Sequence, residues 1–405
     1  MMKKILFVIN TMGRAGAETA LLELLKRLDG NPAEYEISLY VIMGQGEMID
    51  KLPPHVRLRN PGFDNRSVLS RRGTAPMIRT VLTAFLRNGG FCRKICHTLG
   101  LLWDGVKRGT IQVDKILWRA LSDGAHRFPE TFDLAVAWLE GASAYYVADH
   151  VRAARKCAFV HIDYESAGYT RKMDRDCWNH FDRIFAVSDE VKEHFAAYYP
   201  EYASRLGVFH NIVDYEAIRS RAREPGGFRD KYDGLRLLTV GRLTRQKAYD
   251  IAIDAMKRIK DSGVRARWYV LGEGDQRKAL EKKIAALGLQ EDFILLGADA
   301  NPFPYYAQAD LYIHATRFEG KSIAIQEAQA LGCAILASDC NGNREQIRNG
   351  QDGRLCPLTP EAIAGEVISL LGDESERRRL GQAARQKTLT QEQEQDPGLL
   401  LELLE

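Results

Sequence analysis

The sequence predicts an α/β protein of two Rossmann-like units, and three observations predict it. Apolar runs of strand length alternate with segments of helical period along the chain, the pattern of parallel sheets covered by helices. A polar, turn-rich patch, Arg223-Glu-Pro-Gly-Gly-Phe-Arg-Asp230, divides that alternation. A chain of 405 residues with 45% hydrophobic residues is long enough for two domains of about 200 residues, each with its own core.

The elements follow in order. Ile5–Ile9 is a first buried strand; after Met-Met-Lys-Lys its apolar run is too short for a secretion signal. Gly13 and Gly16 make a small-residue turn that lets backbone approach a ligand. Glu18–Leu28 is a helix with Leu21, Leu24, Leu25 and Leu28 on one stripe. Tyr35–Ile42, Leu134–Ala137, Lys156–Val160, Arg183–Val187 and Val208–His210 are the further strands of the first half. The second half offers Leu235–Val240, Arg267–Leu271, Phe293–Leu296, Leu311–Ala315 and Ala334–Ala337, with two helices over 360–387. The expected domains are 1–222, 223–390 and a tail, 391–405.

Residues 65–127 form a basic helical insert. Twelve Lys or Arg face three Asp or Glu, and Met77, Ile78, Val81, Leu82, Phe85 and Leu86 recur at helical spacing. Such a surface suits an anionic membrane face. It equally suits helices packed on the first domain with a solvated basic rim.

Bulk numbers exclude several classes. A net charge of +3 makes the whole chain a poor general polyanion binder, so nucleic acid is not expected as a partner. Of seven cysteines only Cys92 and Cys96 are near neighbours, which fits neither a zinc site nor a disulfide framework and suggests a reducing compartment. No stretch reaches the length of a spanning helix. The expected location is cytoplasmic, peripheral on the inner face of the plasma membrane if the basic insert engages lipid.

The chemistry concentrates in the second half. In Arg317-Phe-Glu-Gly-Lys-Ser-Ile-Ala-Ile-Gln-Glu327 two carboxylates, Glu319 and Glu327, flank a Gly-Lys-Ser turn between a strand-like and a helix-like run. Backbone N–H groups at a helix N-terminus suit an anion, and paired carboxylates suit hydroxyls. A nucleotide sugar carries both. Upstream, Val240-Gly-Arg-Leu-Thr-Arg-Gln-Lys247 sets Arg242 and Lys247 after a strand end, two cations able to stabilise a diphosphate leaving group.

Together with Leu271-Gly-Glu-Gly-Asp275, Leu296-Gly297, Asn341-Gly-Asn-Arg-Glu345 and the start Ile5 to Glu18, these segments resemble the retaining family 4 glycosyltransferases, which have the GT-B fold, two Rossmann-like domains facing across a cleft. The resemblance runs from residue 3 to about 356 and is weakest between 64 and 130. It implies a second domain that binds a nucleoside-diphosphate sugar and a first that binds a glycan or lipid-linked acceptor. It implies transfer of a hexose or N-acetylhexosamine with retention, in surface polysaccharide assembly.

The roles it implies are catalytic for Arg242, Lys247, Glu319 and His161. Glu319 would touch the transferred sugar, Glu327 the ribose. Donor contacts would come from Gly16, Gly241, Gly272, Gly320, Lys321, Ser322, Ile323 and Glu327. No cofactor and no metal are implied, since Arg242 and Lys247 take the metal's place. Val187-Ser-Asp-Glu190 resembles a strand-end serine of mainly structural role, and 398–405 a helix crossing back to the first domain. Ala248 departs from the pattern, which has glycine after the lysine.

Rival readings keep the fold: a nucleotide-sugar epimerase or a glycogen-synthase-like enzyme. Another is a non-catalytic sugar-nucleotide sensor, against which the intact Arg242, Lys247, Glu319 and Glu327 argue. Ala315-Thr-Arg-Phe-Glu-Gly-Lys-Ser322 also fits a relaxed phosphate loop, but lacks its first glycine and lies late in its domain. Gly13, Gly16 and Gly272-Glu-Gly274 do not complete a dinucleotide fingerprint. Asp174-Arg-Asp176 imitates the metal-binding Asp-x-Asp of the other glycosyltransferase fold without its context.

Overall fold

A computed structural model describes residues 2–28, 34–68, 71–109, 111–393 and 395–404. The chain forms two compact units, Met1–Ile212 with Asp396–Glu405, and Val213–Gln395.

The first unit is built on seven parallel strands: β1 (Lys3–Ile9), β2 (Tyr35–Val41), β3 (Arg57–Leu58), β4 (Thr131–Ala137), β5 (Arg152–Val160), β6 (Arg183–Ala186) and β7 (Leu206–Val208). Their order is β3-β2-β1-β4-β5-β6-β7. A parallel strand covered on both faces is apolar throughout, and Ile5 to Ile9 are all fully buried. The helix Gly16–Arg27 buries Leu21, Leu24 and Leu25 against the sheet. Ser188 caps the helix Asp189–Tyr198, accepting from the Val191 N–H at 3.2 Å.

The insert forms the helices Arg71–Leu86, Phe91–Lys107 and Val113–Gly124; its residues 69, 70 and 110 lie outside the described residues. Its charge is not all surface. Lys94 is buried and donates to the carbonyls of Ala84 (2.7 Å) and Arg87 (2.5 Å), closing the C-terminus of the first insert helix. Arg119 is buried too, paired with Asp149.

The second unit holds six parallel strands: β8 (Leu235–Val240), β9 (Ala266–Leu271), β10 (Phe293–Gly297), β11 (Leu311–His314), β12 (Ile335–Ser338) and β13 (Arg354–Cys356), in the order β10-β9-β8-β11-β12-β13. It begins ten residues before the turn-rich patch. Asp214 caps the helix Tyr215–Arg221, and Tyr215 and Ile218 pack into the core around Tyr269, Tyr306 and Tyr312. The boundary expected at 222/223 therefore falls at 212/213, because burial of one short helix decides it. The long helix Glu374–Gln393 stays with the second unit, and the last ten residues belong to the first. No helix among the described residues is long and apolar enough to cross a membrane.

Candidate active site

In the second unit the strand order reverses between β8 and β11, which pair directly. Open α/β sheets bind ligands outside the carboxyl ends of their strands at such a switch point. The turn after β8 carries Gly241, Arg242 and Lys247; the loop after β11 carries Glu319 to Ser322. Hydrogen bonds fasten the two segments together. The Arg317 N–H and the Thr316 hydroxyl both donate to the Gln246 carbonyl, at 2.8 and 3.1 Å, and the Gln246 side chain donates to the Phe318 carbonyl at 2.9 Å. Arg317 forks onto Asp250 at 3.1 and 2.7 Å.

This clamp brings Lys247 onto Glu319. The ammonium pairs with Glu319 Oε2, both side chains largely buried. His314, at the end of β11, reaches the same oxygen with Nε2 at 3.1 Å. Burial alone would raise the Glu319 pKa, but the Lys247 charge and the His314 bond outweigh it and bring it to about 2. Arg242 stands exposed and has no ion-pair partner among the described residues.

Glu327 lies in the helix Ile323–Ala330 and accepts from the Tyr306 hydroxyl at 2.9 Å. Its surroundings act the other way. Burial lifts its carboxyl to about 7, against the Tyr306 bond and the more distant Arg221 charge.

The glycines are explained by close backbone approach. A Cβ on Gly272 would stand 1.9 Å from the Gly241 carbonyl oxygen, and one on Gly342 would stand 1.6 Å from that of Gly320. Gly272 thus seats the Gly241 turn, and Gly342 seats the Gly320 loop. The Ser322 N–H donates to Gln346 Oε1 at 2.6 Å. That amide is engaged within the protein, so the backbone between Gly320 and Ile323 offers a ligand less than the sequence suggests. The phosphate-loop likeness also loses its context: the loop follows the fourth strand of its unit, and its helix has 8 residues.

Gly16 and His161 lie in the first unit. Gly16 opens its helix after a loop held by Met12, whose N–H donates to Gln45 (3.0 Å) and whose carbonyl accepts from Met48 (2.9 Å). His161 follows β5. Its N–H donates to Glu140 Oε2 at 3.0 Å, and its ring lies 5.1 Å from that of Trp138. Burial pushes the imidazole down to about 3, and Nε2 has no partner among the described residues. A neutral ring of this kind orients a hydroxyl but does not store a proton near neutral pH.

Asp174 is a core residue, accepting from Tyr145 (2.8 Å), Tyr164 (2.6 Å) and Tyr199 (2.5 Å). Among the described residues Asp123, Asp149 and His150 have metal-ligand chemistry within reach of one another, but Arg119 already pairs with Asp149 and His150 with Asp123. Sequence reasoning missed His314, Gln246, Tyr306 and Glu140. The first and third sit in runs that read as strand and aromatic core, and no local signal marks them.

Residues 223–387 match the family model of the glycosyl transferases group 1. One curated relative is the N-acetylgalactosamine-N,N'-diacetylbacillosaminyl-diphospho-undecaprenol 4-alpha-N-acetylgalactosaminyltransferase of Campylobacter jejuni. It is 33% identical over 155 residues, 38% of this chain and 40% of that protein. The amylovoran biosynthesis glycosyltransferase AmsD of Erwinia amylovora is 25% identical over 234 residues, 57% of this chain and 64% of that protein. The chain spans less than two thirds of the length of either. Among solved structures, HepE of Anabaena in complex with UDP-glucose superposes with a TM-score of 0.67 at 16% identity, covering 99% of this chain and 98% of that one. The fold is GT-B.

Proposed function

We propose, from the premise that this chain belongs to the glycosyl transferases group 1 family through its second unit, that it transfers a hexose or N-acetylhexosamine from a nucleoside-diphosphate sugar to a hydroxyl of a glycan or lipid-linked acceptor, with retention, in surface polysaccharide assembly. The observation that carries this reading is the Lys247–Glu319 pair at the β8/β11 switch point, with exposed Arg242 in the same turn.

A diphosphate brings about two negative charges and gains more as the glycosidic bond breaks. Arg242 and Lys247 hold it, which draws Lys247 from Glu319 and frees that carboxylate for sugar hydroxyls. Glu327 accepts from the ribose. The bond from the anomeric carbon to phosphate oxygen breaks while the bond to the acceptor oxygen forms on the same face. The acceptor proton passes to a donor phosphate oxygen. Within the first unit the Nε2 of His161, without a partner among the described residues, is the group offered to an acceptor hydroxyl. Two fixed cations supply the leaving-group stabilisation of a divalent ion, so no metal is required. The names of the two relatives, one acting on a diphospho-undecaprenol glycan and one in amylovoran biosynthesis, support the acceptor class.

The test is acceptor-dependent release of free nucleoside diphosphate across uridine and guanosine donors, with and without chelator. Release confirms transfer. Loss in EDTA with rescue by manganese or magnesium overturns the metal-free step.

The insert supports an anionic membrane surface as a further partner. Ten of the thirteen exposed large apolar residues among the described residues fall between Ile78 and Val113. Ile78, Leu82 and Leu86 form one exposed stripe, and Leu99, Trp103 and Val106 lie on the next helix. Arg72, Arg79, Arg87, Arg93, Lys107 and Arg108 stand exposed among them. Each cation at an anionic surface contributes about 1 kcal/mol, and the attraction falls with salt. Pelleting with phosphatidylglycerol vesicles at low salt, weakened at high salt and in a Leu82→Ser/Trp103→Ser variant, is expected. Equal pelleting with neutral vesicles, or none, sinks this part of the reading.

A further inference from the structure

We propose that His314 is a positioning residue for Glu319, holding that carboxylate in place when Lys247 turns to the donor diphosphate. The proposal rests on the transfer reading above and names a residue that reading does not use.

His314 ends β11, in register with Ala337 of β12, and is 1% exposed. Its ring has a partner at each nitrogen. Nε2 lies 3.1 Å from Glu319 Oε2, and Nδ1 lies 3.0 Å from the Tyr312 hydroxyl. These partners fix the tautomer. An ionised carboxylate only accepts, so Nε2 must carry the hydrogen. Burial first, then the Lys247 charge, hold the imidazole below its ordinary value against the Glu319 bond and charge, which favours the neutral ring. Nδ1 is therefore the acceptor and the Tyr312 hydroxyl the donor. The Tyr306 ring lies 5.1 Å from that of Tyr312, tilted by 34°, and its hydroxyl donates to Glu327. One buried polar and aromatic array thus joins the two motif glutamates.

Glu319 Oε2 holds both His314 and Lys247, while Oε1 stands 3.4 Å from Gln246 Nε2. A diphosphate competes for Lys247. It does not compete for His314, a neutral donor fixed in a central strand. With His314 present, Glu319 keeps Oε2 turned inward and Oε1 toward a ligand. Without it, release of Lys247 leaves the carboxylate, among the described residues, only the long Gln246 contact of 3.4 Å. Transition-state contacts to the sugar then weaken while contacts to the nucleotide do not.

The experiment has two arms. In the first, His314→Phe, His314→Gln and Tyr312→Phe are compared for kcat, donor KM and calorimetric affinity for free nucleoside diphosphate. Loss of a charge-assisted hydrogen bond predicts that His314→Phe lowers kcat about 30-fold with nucleoside-diphosphate affinity within about twofold. His314→Gln, whose amide nitrogen stands in for Nε2–H, recovers most of it. Tyr312→Phe, which removes one hydroxyl from a packed ring, lowers kcat about fivefold by freeing the tautomer. Unchanged kcat in His314→Phe overturns the proposal. So does a loss of kcat, affinity and melting temperature together that glutamine does not repair.

The second arm reads the imidazole nitrogens of 15N-histidine-labelled protein, with the His314 signals assigned by their loss in His314→Gln. The Nε2–H tautomer is expected with and without UDP. An Nδ1–H tautomer or an imidazolium overturns the proposal whatever the activity. A wild-type protein that turns over no donor overturns the transfer reading and its positioning role together. The tautomer then separates wrong geometry from wrong chemistry.

Discussion

Both sheets reverse their strand order once, between β1 and β4 in the first unit and between β8 and β11 in the second, but the groups set at the two points differ in kind. The second point is charged: Lys247 on Glu319, Arg317 on Asp250, and an exposed Arg242. At the first, an exposed Arg14 follows β1, but among the described residues the groups held at the ends of β1, β4 and β5 are buried or half-buried and hydrogen-bonded rather than ion-paired. Asn10 receives the Ser143 N–H at 2.8 Å and donates to the Glu140 carbonyl at 3.2 Å. Burial raises the Glu140 carboxyl and lowers the His161 imidazole. One topology thus presents two chemistries, because the strands only place the loops and the loop residues choose what is held there. A charged point suits an anionic leaving group. Buried, hydrogen-bonded groups suit a sugar hydroxyl.

The largest expected effect tests that contrast directly. Lys247→Ala and Arg242→Ala should each lower kcat/KM by about two orders of magnitude or more, since each removes charge where charge develops. His161→Ala should lose only about tenfold, mostly in acceptor KM, as a neutral hydrogen bond does. Steady-state kinetics on the three variants decides it. Equal losses at both points would break the comparison.

Next come the two glutamates. Glu319→Gln should lower kcat with nucleoside-diphosphate affinity little changed, and Glu327→Gln should weaken that affinity by about tenfold, the worth of one hydrogen bond to a charged group. Calorimetry with UDP and GDP separates them. A Glu327→Gln variant that binds like wild type removes the ribose contact from the reading.

Their titrations carry opposite signs in stability. Glu327 is raised from 4.5 to about 7. Its contribution is full below pH 4.5 and is lost as pH rises through 7. Glutamine cannot ionise, so the stability of Glu327→Gln relative to wild type should grow by about 2–3 kcal/mol between pH 4.5 and 8. Glu319 is lowered to about 2. Its contribution is present above pH 4.5 and is lost as pH falls toward 2. Glu319→Gln should therefore be the less stable protein at pH 7. Urea unfolding of the ligand-free variants at three pH values reads both signs.

How much of this was legible in the sequence follows from what each residue is surrounded by. Strands such as Ile5–Ile9 and Leu235–Val240 were visible because a sheet covered on both faces demands apolar runs. β3 and β13 were not, since Arg57–Leu58 and Arg354–Cys356 are too short and polar to show a period. The turn holding Arg242 and Lys247 and the loop holding Glu319 stood out because polar residues break apolar runs there. His314 did not, because a buried histidine in a strand has the same sequence context whether it packs or orients a carboxylate. Asp174 shows the converse: an Asp-x-Asp that invites a metal reading is a hub for three tyrosine hydroxyls, and only the fold brings them together.

The smallest expected effect concerns Ala248, where the resembled family has glycine. Its φ of 47° and ψ of 32° lie in the left-handed region, at the junction between the Lys247 turn and the helix Tyr249–Asp261. That conformation costs a non-glycine residue roughly 1–2 kcal/mol. Ala248 is fully buried, and its methyl contributes about 0.8 kcal/mol by burial. A glycine would relieve the first, forfeit the second and loosen the unfolded chain by a further ~0.5 kcal/mol. These nearly cancel. Ala248→Gly should leave unfolding free energy within about 0.5 kcal/mol of wild type, and kcat unchanged. Ala248→Val should lose more than ~2 kcal/mol, because a β-branched residue is strained there. It should also lose turnover, because Lys247 is carried on the same turn. A glycine variant that is markedly more active would show that the alanine holds the charged switch point back from its working geometry, a constraint with no counterpart at the first.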